Sequence, residues 1–128
     1  MAEQVSYYWE IENFSGSGSH LKERLVLIEW IPAPPGMYIE EEAIAATTVR
    51  VERIADSRTV QFFQVYLHNR SLPRITFEEV IEDNGEVVRR NKWIVSDATI
   101  PKMDQRDRKD GEHDWATKPY IDEFVLQL

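Results

Sequence analysis

The sequence predicts a mainly β fold, a small barrel or sandwich of antiparallel strands with one short flanking α-helix at about residues 56–69. Three observations carry that expectation. Six or seven stretches are strand-like, most of them alternating apolar and polar residues with period two. An Asn84-Gly85 pair sits between two of these runs, and such a pair favours the tight turn of a hairpin. The alternation of strands with long helices that builds a parallel, doubly wound sheet is missing from the pattern. At 128 residues the chain has the length of a single domain, taken as 1–128, able to bury most of its apolar surface around one core.

Residues 6–12 open the fold, with Tyr7, Trp9 and Ile11 on one side and Tyr8, Glu10 and Glu12 on the other. Ser15-Gly16-Ser17-Gly18-Ser19 interrupts them. A second strand, Leu21 to Ile31, places Leu21, Leu25 and Leu27 on one face and Val26, Ile28 and Trp30 on the other. A strand apolar on both faces needs cover on both, which suggests a helix or a second subunit. Pro32-Ala33-Pro34-Pro35-Gly36 cannot continue a ladder and reads as a loop, extended by the acidic Glu40-Glu41-Glu42. Residues 43–54 form the third strand, with Thr47, Val49 and Val51 on one face.

Residues 56–69, DSRTVQFFQVYLHN, carry opposing signals. Their β-branched and aromatic content favours a strand. The ends favour a helix, with Asp56 or Ser57 to cap it, Asn69 suited to a left-handed C-terminal position, and Pro73 beyond. The expected helix brings Phe62 or Phe63, Val65 and Tyr66 to one flank. Strand character resumes at Pro73, turns at Asp83–Glu86 and continues over Trp93 to Ile100. Lys102 to Lys118 reads as a mixed-charge loop, and Tyr120 to Leu128 as the closing strand.

Composition excludes several classes of function. A net charge of −8 gives no basic surface to neutralise phosphates, so nucleic acid is not an expected partner. Without cysteine there are no disulfides, thiolate metal sites or cysteine nucleophile. No apolar run is long enough for a spanning helix, and membrane insertion is not expected. The N-terminus lacks the features of a cleaved signal peptide, which suggests a chain made and assembled in the cytoplasm.

Enzyme chemistry finds little support. His20, His68 and His113 are scattered rather than spaced as metal ligands, and only His113 with Asp110 and Asp114 forms a cluster. Gly16-Ser17-Gly18 lacks the third glycine of a dinucleotide loop, and no nucleophile elbow occurs. The expectation is no enzyme, no cofactor and no metal. Trp9, Trp30 and Trp93 read as packing residues in strands, whereas Trp115 stands in a charged segment and suits a contact with another chain.

The order of these features resembles one family. "YYWEIENFSGSGSHLKERLVLIEW", with Tyr8, Ile11, Gly16, Ser17, His20, Glu29 and Trp30, is similar to the opening of the hemolysin-coregulated protein (Hcp) family, the tube proteins of type VI secretion and relatives of phage tail-tube proteins. "TTVRVERIADSRTVQFFQVYLHNRSLPRITFEEV", "WIVSDATIPKM" and "PYIDEFVLQL" continue the likeness over nearly the whole chain. The proline-rich stretch after Trp30 departs from the family's Gly/Ser-rich one. The resemblance implies a subunit of the inner tube of a contractile injection apparatus. Such subunits form hexameric rings that stack head to tail, carry effectors, meet sheath and spike proteins, and leave the cell without a cleaved signal peptide. The subunit contacts it suggests are Val26, Ile28, Trp30, Pro34, Pro35, Met37, Tyr38, Glu40, Glu41 and Trp115, with Lys102 to Lys118 as a further contact between rings. A second likeness stays open: Trp9, Ile11, Asn13 and Phe14 also match the first strand of adaptor domains of the meprin and TRAF homology (MATH/TRAF) type, which bind short peptides.

Overall fold

The computed structural model describes residues 3–14, 20–31, 48–109, 113, 115–116 and 118–128. Among these residues seven strands and one helix follow in the order β1 (Glu3–Glu12), β2 (His20–Leu25), β3 (Leu27–Ile31), β4 (Thr48–Ile54), α1 (Thr59–Leu67), β5 (Ser71–Asp83), β6 (Glu86–Asp107) and β7 (Tyr120–Gln127). All strand pairs are antiparallel, and the sheet runs β2-β1-β5-β6-β7-β4-β3. Its first and last members are consecutive in the chain. One bent stretch therefore pairs with β1 through its first half and with β4 through its second, which closes the sheet into a barrel.

That bend corrects the expectation of a single strand from Leu21 to Ile31 with two apolar faces. Val26 leaves the ladder, and its N–H donates to the Glu52 carbonyl at 2.8 Å. The parity of the strand changes there. Leu21 and Leu25 point inward before the bend, Ile28 and Trp30 after it. The second apolar face is the same barrel interior reached in a new phase, so it needs no cover from outside.

The helix is shorter than the expected 56–69, and its N-cap position falls on Arg58, which makes no side-chain capping bond, rather than on the expected Asp56 or Ser57. The Asp56 carboxylate accepts the Arg58 N–H at 2.8 Å, and the Asp56 N–H donates to Thr59 Oγ1 at 3.1 Å, a side-chain turn that launches the helix. Asn69 takes φ 50°, and the Arg70 N–H returns to the Val65 carbonyl at 3.0 Å, closing the C-terminus. Phe62 and Val65 are buried, and Gln61, Gln64 and His68 are exposed. The hairpin also forms as expected, with Asn84 at φ 57° and Gly85 at φ 83°, the left-handed pair that a two-residue turn requires.

Two further differences concern β5 and β6. Pro73 lies inside β5 at a skipped rung: Leu72 pairs with Ala98 and Arg74 with Ser96, while Asp97 takes φ 57°. A residue without an N–H is tolerated at such an irregularity. The mixed-charge segment is not a loop from its start, because Lys102–Asp107 completes β6 and pairs with Val125–Tyr120 of β7.

The core is aromatic. Trp9 stacks on Phe62 at 5.5 Å between ring centroids and lies 6.1 Å from Phe77 and 6.2 Å from Phe124. Phe62 also meets Phe14 at 4.4 Å, so α1 is held by a ring cluster as well as by the turns at its ends. Burying a side chain of this size contributes roughly 1.5–3 kcal/mol.

Candidate assembly surface

The interior of the barrel is polar at one place. Arg53 continues the inward row of Val49 and Val51 and is itself 0% exposed. Its guanidinium donates to both oxygens of Glu23, at 2.7 and 3.0 Å, to Asp56 at 2.8 Å and to Asp122 at 2.9 Å, and it lies over the Phe62 ring at 4.8 Å. Burial works to lower its pKa, but the bonds and charges of Glu23 and Asp56 prevail and hold it above the ordinary arginine value. Asp122 also accepts from Thr59 at 2.7 Å and from Gln105 at 3.1 Å. The cluster joins β2, β4, α1, β6 and β7 through side chains that satisfy one another.

Beside it, Thr59, Val60, Phe63, Met103, Gln105 and Asp122 line an open groove of about 350 Å³. The buried carboxylate on its floor is already committed to three donors, so the groove does not present Asp122 as a free acid or base. The described residues contain no group of three or more His, Asp or Glu placed to hold a metal ion. His20 pairs with Glu10 at 2.7 Å, and His113 packs edge-on against Trp115 at 5.8 Å between ring centroids. Asp110 and Asp114, the other members of the expected His113 cluster, lie outside the described residues.

The strands carry a different kind of site. β2 pairs only with Tyr7–Glu12 of β1, and β7 pairs with β6 only from Thr99 to Asp107. Among the described residues, the outer edges of Glu3–Ser6 in β1 and of Glu86–Ala98 in β6 therefore carry no ladder. Between them lies β5, so the two open edges are opposite sides of one three-stranded projection. The β6 edge is basic and apolar: Arg89, Arg90 and Lys92 alternate with exposed Val87, Val88, Trp93 and Ile94, the last 58% accessible. The β1 and β5 side is acidic, with Glu3, Glu78, Glu79, Glu82 and Asp83, although Arg90 binds Glu78 and Asn91 binds Glu79 at 2.9 Å each. Burial, with Glu79 and Glu29 nearby, raises the Tyr7 phenol above its usual pKa.

The residues expected at subunit contacts are spread over several settings. Ile28 is 7% exposed within the chain's own core, and Trp30 packs on Phe77 at 5.8 Å and Trp93 at 5.5 Å, so the reason for placing them at an interface has gone. Val26 is half-buried at the bend. Trp115 is 38% exposed, with the Arg24 guanidinium 4.5 Å above its ring. Pro34, Pro35, Met37, Tyr38, Glu40 and Glu41 lie outside the described residues. Sequence reasoning missed the open edge of β6. The run Val87-Val88-Arg89-Arg90-Asn91-Lys92-Trp93-Ile94 shows a basic strand with apolar residues, yet only the pairing shows that β5 alone is its strand neighbour among the described residues.

No family model matches the chain, and no curated protein matches it. Solved structures do. The crystal structure of Hcp1 from Salmonella typhimurium superposes with a TM-score of 0.63, covering 98% of this chain and 83% of that one at 11% identity. A type six secretion system protein gives a TM-score of 0.61, with 97% and 80% coverage at 8% identity. This chain has the Hcp fold. Hcp2 from Salmonella typhimurium matches as well, at a TM-score of 0.57 with 95% and 80% coverage and 9% identity. The Trp9, Ile11 and Phe14 pattern shared with adaptor domains belongs here to buried residues of β1 and the turn after it, so it reports strand packing within the Hcp fold.

Proposed function

We propose that this chain is a structural subunit of the inner tube of a contractile injection apparatus of the type VI secretion kind. In this reading six copies close a ring, rings stack head to tail, and the hollow tube carries effector proteins. The observation that carries it is the projection of β1, β5 and β6, which among the described residues has an open, basic edge on β6 and a different open edge on β1 in an Hcp fold. Unpaired strand edges are templates for another strand. Two different edges on one subunit that meet make a heterologous contact, which closes into a ring when the rotation between copies divides the circle. Residues Pro34, Pro35, Met37, Tyr38, Glu40 and Glu41 are proposed to reach a neighbouring subunit, with Trp115 at a second contact. Sheath, spike and effector proteins are the further partners of this reading.

Charge sets the conditions. With −8 on each chain, a ring of six carries roughly −48, which opposes stacking at low salt and is screened as salt rises. Negative-stain electron microscopy of the purified protein at low and high salt tests the reading. Six-fold rings, with stacks more frequent at high salt, are expected. Monomers at both salts, together with binding of a short peptide, would replace the tube by the adaptor reading. Deleting residues 33–41 should preserve the circular dichroism spectrum while abolishing stacking.

A further inference from the structure

The barrel closes through a handover rather than a continuous ladder. β1 releases the bent strand at Leu25, and β4 takes it up at Leu27. Between β2 and the end of β4 a gap remains. Among the described residues one backbone bond spans it, from the Val26 N–H to the Glu52 carbonyl at 2.8 Å. Below it Leu21 and Leu25 pack into the core, and the polar part of the closure is ionic: Glu23 of β2 accepts two bonds from Arg53 of β4, at 2.7 and 3.0 Å. The same Glu23 accepts the Trp9 indole N–H at 2.9 Å, which ties the closure to the aromatic core.

We propose that the gap between β2 and β4 is a latch, held by the Glu23–Arg53 pair, and that loss of the Glu23 carboxylate opens this gap while β2 keeps its ladder to β1. The other groups around Arg53 remain on the far side of the gap. Asp56 faces it from the turn before α1, Asp122 from β7, Thr59 from α1, while Gln105 of β6 supports Asp122. Arg58 approaches Glu23 at 3.9 Å and is the second cation near the pair. With Asp56 and Asp122 in place, Arg53 keeps two carboxylate partners after Glu23 is lost, so the cation stays compensated and the barrel body stays folded. β2 keeps its ladder to β1 and loses its ionic tie to β4. A bidentate, charge-assisted pair is the stronger kind of hydrogen bond, whereas a carboxamide accepts with one oxygen and without charge. Local opening of this kind draws on the least-connected unit of a fold. The latch does not depend on what the chain assembles into.

Native-state hydrogen exchange, read by NMR on the full chain as wild type and as Glu23→Gln, tests it. The Val26 amide and the Trp9 indole N–H should exchange at least tenfold faster in Glu23→Gln, while the ladder amides of β5 and β7 keep their rates. Asp56→Asn removes a partner of the same cation that does not span the gap, and it should leave Val26 unchanged. Protection that falls evenly across β2, β5 and β7, or a Val26 amide indifferent to Glu23→Gln, would overturn the latch. If Glu23→Gln does not fold, Glu23→Asp, whose shorter side chain withdraws the carboxylate from Arg53, is read by the same criteria.

Discussion

The two halves of β6 have similar chemistry and opposite surroundings. From Glu86 to Ser96 the strand has β5 on one side and an open edge on the other, and nearly every side chain is exposed. Beyond Thr99, where β5 has ended at Ser71, it pairs with β7 instead, and in this more enclosed half the charges find partners: Arg106 binds Glu123 and the buried Glu52, both at 3.1 Å. Charge content alone therefore does not separate a surface strand from one built into a barrel. What separates them, among the described residues, is which strand pairs there: β5 as far as Thr99 and β7 from Thr99 to Asp107.

Substitutions should divide along the same line. Phe124→Ala, which empties the core opposite Met103 in the enclosed half, should cost about 3–5 kcal/mol by urea unfolding. Arg106→Met should cost roughly 1–2 kcal/mol, because Glu52, 3% exposed, keeps only Arg50 as a charged partner at 2.6 Å. An acid titration probes the ion cluster next to the enclosed half. Burial works to raise the Asp56 pKa, but the bonds from Arg53 and from the Arg58 N–H hold it below the usual aspartate value. Its contribution is therefore complete above the unfolded value and is lost as pH falls through the lowered one, and Asp56→Asn should flatten that part of the stability profile. The smallest effect on the isolated subunit belongs to the open half. Ile94→Lys should change unfolding stability by no more than about 0.5 kcal/mol while removing rings from micrographs. A large loss of subunit stability from Ile94→Lys would break the comparison.

The residues themselves explain which parts of this fold could be read in advance. Asn84-Gly85, Asp56 and Asn69 act locally, through backbone conformations and hydrogen bonds to near neighbours, so the turn and the helix ends were legible. The bend at Val26 was not, since a change of parity inside an apolar run looks the same as a strand with two apolar faces. Lys102–Asp107 read as a loop for a related reason. That stretch adjoins the charged part of the interior, where Gln105 meets Asp122, and a polar lining removes the hydrophobic alternation that marks a strand. The open edge of β6 depends on where another strand stops, which no window of sequence contains. Of the residues expected at subunit contacts, Ile28 and Trp30 were drawn in by that apolar run and belong mainly to the chain's own packing.

The closure of the barrel at Val26 also has a consequence for how the chain reaches its fold. β1 must find β5, and β4 must find β7, across most of the intervening sequence, before the bent strand can bridge them. Such long-range pairings place the chain among slow folders, on the millisecond-to-second scale typical of barrels. Until the bridge forms, β1 and β4 both offer free edges, and at high concentration a second nascent chain competes for them. Refolding yield should therefore fall as protein concentration rises, faster than the stability of the finished subunit would suggest.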